Sequence, residues 1–305
     1  MTKVFIDGSA GTTGLRIFER LRERRDIELM ILPDELRKDE AARSEYLHKC
    51  DAAFLCLPDD AARQAAKMAE DSDAVIIDAS TAHRTEPGWA YGFPELSEEH
   101  KKAILTGKRL ANPGCHASGF VALVYPLREA GLLGESAELT CTSLTGYSGG
   151  GKKMIADYEA DPRVEGLASP REYGIGQTHK HLKEMKAIPK LANEPVFLPI
   201  VAPYYNGMLV TVPLFADQLA CGGINDVKEV FRKKYTPENG RVIYKESIDE
   251  NGFVAADTLA DTDGMEVTVA GNAERIILMA RFDNLGKGAS GSAIQLMDMK
   301  FSAEG

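Results

Sequence analysis

Long hydrophobic runs are missing from this 305-residue chain: no stretch approaches the roughly 18–20 consecutive apolar residues that a bilayer-spanning helix needs. Excess positive charge is missing too. Thirty-six Lys and Arg stand against 46 Asp and Glu, a formal net charge of −10, with no basic stripe or cluster. Phosphate backbones are bound chiefly by neutralising them, so neither nucleic acid nor an anionic membrane is an expected partner. The five cysteines show no C-x-x-C spacing, which argues against a zinc site and a disulfide framework; no metal is expected. No internal repeat or low-complexity tract is present. Met1 leads directly into the strand-like Lys3-Val4-Phe5-Ile6-Asp7, without the charged region and cleavage pattern of a signal peptide, so a cytoplasmic protein is expected.

What is present is ordinary globular material, 44% hydrophobic and 27% charged, in a length that favours two domains. Short apolar runs at Val4–Asp7, Ile27–Leu32, Ala52–Leu57, Ala74–Asp78 and Ile104–Asn112 read as strands. Helical spacing marks Leu15–Arg24, Asp39–Lys49 and Asp59–Asp71 between them, and this alternation implies a parallel sheet. The first strand runs into Gly8-Ser9-Ala10-Gly11-Thr12-Thr13-Gly14 and then a helix. Glycines there permit a tight turn and close backbone approach, and a helix start offers N–H groups and a positive dipole end to a pyrophosphate. A dinucleotide-binding role follows from that context, with Gly8, Ala10, Gly11, Thr12, Thr13 and Gly14 as contacts. The second strand ends in Leu32-Pro33-Asp34-Glu35-Leu36-Arg37-Lys38, which holds both an acidic and a basic signal. Arg37 and Lys38 favour NADP, although the same residues also fit a solvated helix start. Ser80 and His83 lie in the loop after the fourth strand, where a cofactor contact is expected.

Cys56 and Cys141 lie in apolar runs and read as small core residues. Cys115 differs. Asn112-Pro113-Gly114 stops a strand, and Phe120–Leu133 has helical spacing, so Cys115 falls near a helix start with His116, Ala117, Ser118 and Gly119 around it. A thiolate there is stabilised by the dipole and by unpaired N–H groups, and the same donors suit an oxyanion. A nucleophilic thiol needs a proton partner. His48 and His100 lie in charged stretches and read as solvated, and His116, a sequence neighbour of the thiol, is expected to point elsewhere. The cluster Thr178-His179-Lys180-His181-Leu182-Lys183-Glu184 supplies the general acid or base, with His179 preferred to His181. Near the end, Asn284-Leu285-Gly286-Lys287-Gly288 precedes an apolar segment. Gly286 and Gly288 are expected to approach a ligand, and Asn284 to pair with a carboxamide through both ends of its amide.

Together these segments, with Tyr91-Gly92-Phe93-Pro94-Glu95-Leu96 and Ser148-Gly149-Gly150-Gly151, resemble the N-acetyl-gamma-glutamyl-phosphate reductase family in its shorter form. The motifs run in family order across nearly the whole chain. Asp78-Ala79-Ser80-Thr81-Ala82-His83-Arg84 departs from the aspartate-phenylalanine-arginine common in longer members, as expected of the shorter subgroup. The resemblance implies an α/β protein: a Rossmann NADP-binding domain over 1–114, completed by a C-terminal helix at 287–305, and an α+β catalytic and oligomerisation domain over 115–286. The second domain's mixed or antiparallel sheet would be like that of glyceraldehyde-phosphate dehydrogenase, with strands including Ala137–Ser143, Val196–Pro203, Met208–Leu214, Met265–Ala270 and Arg275–Asp283. Alternation in Leu209–Pro213 and Glu266–Val269 predicts a sheet with one wet face.

The activity implied is NADPH-dependent reduction of an acyl phosphate through a thioester on Cys115, in arginine biosynthesis. Asn112, Ser148, Gly149, Gly150, Lys180 and Glu184 would hold the substrate, and Lys152, Lys183 and Arg109 are further anion partners. A homodimer or homotetramer is expected. Two alternatives stand beside it: a related semialdehyde dehydrogenase acting on aspartyl or acetylaminoadipyl phosphate, and a non-catalytic NADP-binding redox sensor. Substrate chain length depends on pocket shape, which motifs do not fix.

Overall fold

The computed structural model describes residues 1–162 and 164–301, and the chain divides into two compact units: Met1–Gly114 with Ala289–Gly305, and Cys115–Gly288.

The first unit is built on a parallel sheet. In chain order it runs β1 (Thr2–Asp7), α1 (Thr12–Leu21), β2 (Ile27–Met30), α2 (Glu40–Lys49), β3 (Ala52–Leu55), α3 (Asp59–Met68), β4 (Val75–Asp78), β5 (Ala90–Tyr91), α4 (Glu98–Thr106) and β6 (Arg109–Ala111). The strands lie in the order β2-β1-β3-β4-β6-β5, and every pair is parallel. The order reverses between β1 and β3, and in sheets of this kind ligands bind beyond the strand ends at such a reversal. β3 and β4 are buried along their whole length, as expected of strands covered on both faces. Side-chain caps start two of the helices: Asp39 accepts from the Ala42 N–H at 2.8 Å, and Ser97 from that of His100 at 3.2 Å. The second cap corrects the strand expected over 104–112. Ser97 followed by Glu98 and Glu99 starts a helix whose buried residue is Ile104, so only Arg109–Ala111 is extended. Arg43 of α2 holds the end of β1, donating to Asp7 Oδ2 from Nε and Nη2 at 3.0 and 2.8 Å, with both residues buried.

The second unit comprises α5 (Cys115–Glu129), β7 (Thr140–Gly146), α6 (Gly151–Glu159), β8 (Arg171–Glu172), α7 (Leu182–Ala187), β9 (Val196–Ala202), β10 (Met208–Phe215), α8 (Ile224–Lys234), β11 (Val242–Tyr244), β12 (Met265–Gly271) and β13 (Arg275–Phe282). Its mixed sheet has the order β11-β12-β13-β10-β7-β9-β8. One face packs against α5 and α8. Val210, Val212 and Leu214 of β10 point inward, and Leu209, Thr211, Pro213 and Phe215 alternate outward. The expected wet face is mixed in character: Arg281 of β13 stands between Leu209 and Glu266 of β12 and donates to that glutamate at 2.9 Å, and Thr211 stands opposite Thr142 of β7. In register across the sheet, Leu209 stands opposite Leu144 of β7, Leu144 opposite Ile200 of β9, and Pro213 opposite Ile277 of β13. Alternation identifies the two faces of a strand, and the outward residues are only partly removed from water: Phe215 is 62% exposed and Val196 53%.

The chain then returns to the first unit as α9 (Gly291–Phe301), which joins the core formed by Val4, Ile6, Phe54 and Ile77 through Ala293, Ile294, Leu296 and Met297. Residues 302–305 of the expected C-terminal helix lie outside the described residues, and 286–290 form a wider turn before it. Tyr91–Leu96 is its anchor: a side chain on Gly92 would meet Leu296 Cδ1 at 2.6 Å, and buried Glu95 accepts from Gln295 Nε2 at 2.9 Å.

α5 packs unusually close to its sheet. A Cβ on Gly119 would lie 2.4 Å from Val210 Cγ2 and 3.0 Å from the Phe282 ring. Replacing an interior helical glycine recovers at most about 1 kcal/mol of propensity, whereas overpacking a filled core costs about 1–3 kcal/mol. Gly119→Val is therefore expected to lower the denaturant midpoint, with a net loss of about 0.5–2.5 kcal/mol once the propensity gain is deducted; an unchanged or raised midpoint would show that α5 has room to shift.

Candidate active site

The glycine turn after β1 is shaped by its own backbone. Gly8 has φ +90° and a side chain there would strike the Cys56 carbonyl at 2.3 Å; one on Gly14 would meet Gly8 O at 2.4 Å. These two glycines are needed to fold the turn, whereas Gly11 keeps ordinary space and lies exposed with Ala10. Gly11 caps α1 without a side chain, and no acidic residue occupies the first turn, so the leading N–H groups and the dipole are left to an incoming anion. Thr12 and Thr13 are half-buried at that start. A cleft adjoins the turn, lined by Gly8, Ser9, Ala10, Leu29–Leu32, Leu57 and Arg37. Arg37 stands at this cleft and pairs with Asp34 at 2.6 Å, so the acidic and basic signals after β2 meet in one ion pair; Lys38 is exposed and not part of the lining. A turn that admits no side chain, an uncapped helix start and a cleft ending in a guanidinium fit a dinucleotide phosphate and its adenosine.

The loop after β4 is turned inward. Ser80 Oγ donates to Asp78 Oδ2 at 2.8 Å, His83 Nδ1 lies 2.6 Å from the same oxygen, and the His83 ring stacks on Trp89 at 4.0 Å. Ser80 and His83, expected to face the cofactor, thus spend their side chains on holding the loop. Asn112 is likewise 1% exposed, and its amide donates to Ala289 O at 3.0 Å, tying the end of β6 to the returning chain where a substrate contact was expected. Arg109, an expected anion partner, donates to the carbonyls of Ala74 and Ala69. A polar residue in a motif serves the fold as readily as a ligand when its neighbours are backbone carbonyls.

Cys115 is the first residue of α5, a 15-residue helix, and is only partly buried. The N–H groups of the first turn surround the sulfur's end of the helix, the setting that favours thiolate. Gly288 packs on it, since a Cβ there would lie 3.0 Å from Cys115 Cβ. Gly286 makes its close approach to its own chain: a side chain would meet Thr262 O at 1.9 Å. Asn284 also faces inward, accepting from the Gly207 N–H at 2.9 Å and donating to Ser148 Oγ at 2.9 Å, so both ends of the amide expected to pair with a carboxamide bind within the unit.

The histidines gather around His116, contrary to the expectation that it points away. Its ring centroid is 5.6 Å from that of His179 and 5.5 Å from that of His181, and Phe197 closes the group at 5.3 Å. His116 is buried, with Nδ1 2.7 Å from Ser143 Oγ and Nε2 2.7 Å from the Tyr173 hydroxyl. Burial, with His179 second, pushes its pKa down to about 3, so the ring is neutral. His179 is half-buried and its Nδ1 accepts from the His181 N–H at 3.2 Å; burial first and the Lys180 charge second hold its pKa below the ordinary value. His181 is buried. Tyr173 and Ser143 escaped the sequence reading because their only signal is spatial, the arrival of β7 and the β8 region beside α5.

The remaining expected substrate residues divide. Gly149 and Gly150 lie exposed in the turn before α6, whose start has no side-chain cap and no acid but carries Lys152 and Lys153. Lys180 is exposed, whereas Ser148 and Glu184 are buried at 1% and 2%. Among the described residues no cluster suited to a metal ion exists, and no helix is long and apolar enough to cross a membrane.

The family models for semialdehyde dehydrogenases match both units: the NAD binding domain over 33–104 and the dimerisation domain over 115–284. Solved structures share the fold. Aspartate semialdehyde dehydrogenase II from Vibrio cholerae, complexed with ASA, superposes with a TM-score of 0.72 at 15% identity, covering 100% of this chain and 99% of that one. The Candida albicans enzyme with NADP gives 0.70 at 17%, covering 98% of each. Sequence relatives are much nearer. N-acetyl-gamma-glutamyl-phosphate reductase of Chelativorans sp. (strain BNC1) is 43% identical over 308 residues, 98% of each chain. That of Rhizobium meliloti (strain 1021) is 41% identical over 309 residues, 99% of each. At that identity over nearly the full length, with both semialdehyde dehydrogenase domains present, the chain belongs to the N-acetyl-gamma-glutamyl-phosphate reductase family.

Proposed function

We propose that this chain reduces N-acetyl-L-glutamyl 5-phosphate to N-acetyl-L-glutamate 5-semialdehyde with release of phosphate, in the cytoplasm, as a step of arginine biosynthesis. The observation that carries the chemistry is the partly buried thiol of Cys115 at the first position of α5, beside three clustered histidines. The names of the relatives supply the substrate. The Cys115 thiolate attacks the acyl carbon: a C–S bond forms, the carbon–oxygen bond to phosphate breaks, and phosphate leaves with the electron pair. The N–H groups at the start of α5 receive the developing oxyanion. NADPH, when bound, supplies the hydride that reduces the thioester. His179, neutral at pH 7 because its pKa is lowered, is the proton partner of the thiol and of the collapsing thiohemiacetal; His181 is second choice. The exposed glycines and lysines at the start of α6, with Lys180, suit the substrate's anionic groups.

Residues 1–114 with the C-terminal helix would be the NADP domain and the segment following Gly114 the catalytic and oligomerisation domain. Arg37 at the cleft favours NADPH, as its guanidinium suits a 2′-phosphate. The outward sheet face, with Leu144, Ile200 and Leu209 in adjacent register, is the proposed seam of a homodimer, and a tetramer would pair two such dimers.

Five outcomes are expected. Cys115→Ser abolishes turnover of the semialdehyde with NADP and phosphate while cofactor binding persists, and in the parent chain Cys115 is alkylated rapidly and pH-dependently; an inert thiol in a chain that still binds NADPH points instead to a redox sensor. Of the N-acetylglutamyl, aspartyl and acetylaminoadipyl semialdehydes, only the first is turned over efficiently. By NMR, His179 titrates below 6.5, and Lys180→Met, which removes a repelling charge, raises its pKa; no rise would sever Lys180 from the site. Arg37→Ala raises KM for NADPH about 10- to 100-fold, the loss of one charge-assisted contact, and leaves NADH unchanged; Leu209→Lys converts the oligomer to monomer by light scattering, and an unchanged mass would place the seam elsewhere.

A further inference from the structure

His116 is one residue from the nucleophile, yet its side chain is 3% exposed and binds two hydroxyls, Ser143 Oγ through Nδ1 and Tyr173 Oη through Nε2, each at 2.7 Å. A neutral imidazole carries one ring hydrogen, so the two contacts run in opposite senses. Ser143 is 0% exposed, and its hydroxyl has no second hydrogen-bond partner among the described residues. With the hydrogen on Nδ1, the Ser143 hydroxyl would accept it and leave its own hydrogen in the core without an acceptor. With the hydrogen on Nε2, Ser143 donates to Nδ1 and is satisfied. A buried donor left unmade is the costlier defect, so the second arrangement prevails.

That choice has a consequence at the far end. His116 Nε2–H donates to the Tyr173 hydroxyl oxygen, which leaves the hydroxyl hydrogen uncommitted: among the described residues His116 is the only hydrogen-bond partner of that hydroxyl. Tyr173 is partly open, and its ring centre lies 5.9 Å from that of His179. Burial, and then the neighbouring Cys115 charge, raise the phenol's pKa, so it keeps its hydrogen at neutral pH.

We propose that Tyr173 donates its hydroxyl hydrogen to an oxygen of the acyl group under attack by Cys115, and that His116, locked as the Nε2–H tautomer by Ser143, is the positioning residue that aims it. The inference rests on the thioester reading above. Tyr173 is then a catalytic donor beside the α5 amides, and Ser143 acts on the reaction only through the two rings.

The test uses the full chain with ring-nitrogen-labelled histidine and the reverse reaction on N-acetylglutamate semialdehyde. Expected are an Nε2–H tautomer for His116 and, in Ser143→Ala, loss of that preference. Tyr173→Phe lowers kcat about 100-fold, the scale of one oxyanion donor, while KM and the Cys115 alkylation rate stay as in the parent. Ser143→Ala lowers kcat less, and adds nothing in the Tyr173→Phe background, whereas a merely structural role would make the two losses additive. An Nδ1–H tautomer, an unaltered kcat in Tyr173→Phe, or additive losses would each overturn the inference. Absence of turnover by the parent chain would instead strike the functional reading, and the tautomer measurement would still decide the direction of the relay.

Discussion

The close contact of α5 with its sheet is the constraint on which the second unit depends. Gly119 lets the helix settle against Val210 and Phe282, and that seat fixes where the helix begins. Its first residue is Cys115, with Gly288 packed on the thiol's Cβ. Its second, His116, reaches β7 through Ser143 and the β8 region through Tyr173. One packed helix therefore presents the sulfur, supplies the leading amides beside it and carries the ring around which the other histidines gather. Moving α5 by an ångström would disturb all three together.

The same economy holds in the nucleotide unit. Gly8 and Gly14 leave no room for side chains because the turn closes on Cys56 O and on itself, and the close backbone that results is what a phosphate requires. Asp7 and Arg43 brace the strand that enters the turn, and Asp78 gathers Ser80 and His83 under the next loop. Polar side chains at the strand ends are largely occupied with the fold, which leaves the backbone and a few exposed groups such as Arg37 as the proposed ligand contacts.

Legibility in the sequence followed range. The alternation of strands and helices, the glycine turn and the cysteine at a helix start are local patterns, and each is where it was expected except the strand over 104–112, whose first residues end α4. Asn112, Ser80 and Asn284 are motif residues whose type suits a ligand, but their partners are decided by tertiary neighbours, and those proved to be Ala289 O, Asp78, and the Gly207 N–H with Ser148. His116 was set aside because adjacent residues on a helix diverge by about 100°. The divergence is real, and what could not be read was that Ser143 and Tyr173 would meet the ring there. The mixed make-up of the outward sheet face hid in the same way. Alternation separated Leu209 and Thr211 from Val210 and Val212, but not which of those faces would be shielded from water.

The central claim is that Cys115 carries the acyl group as a thioester. The direct measurement is intact-protein and peptide mass spectrometry after incubating the chain with N-acetylglutamate semialdehyde and NADP in the absence of phosphate. The account predicts an N-acetylglutamyl adduct confined to the peptide containing Cys115, discharged on adding phosphate. Turnover with no adduct, or an adduct on another residue, would contradict it.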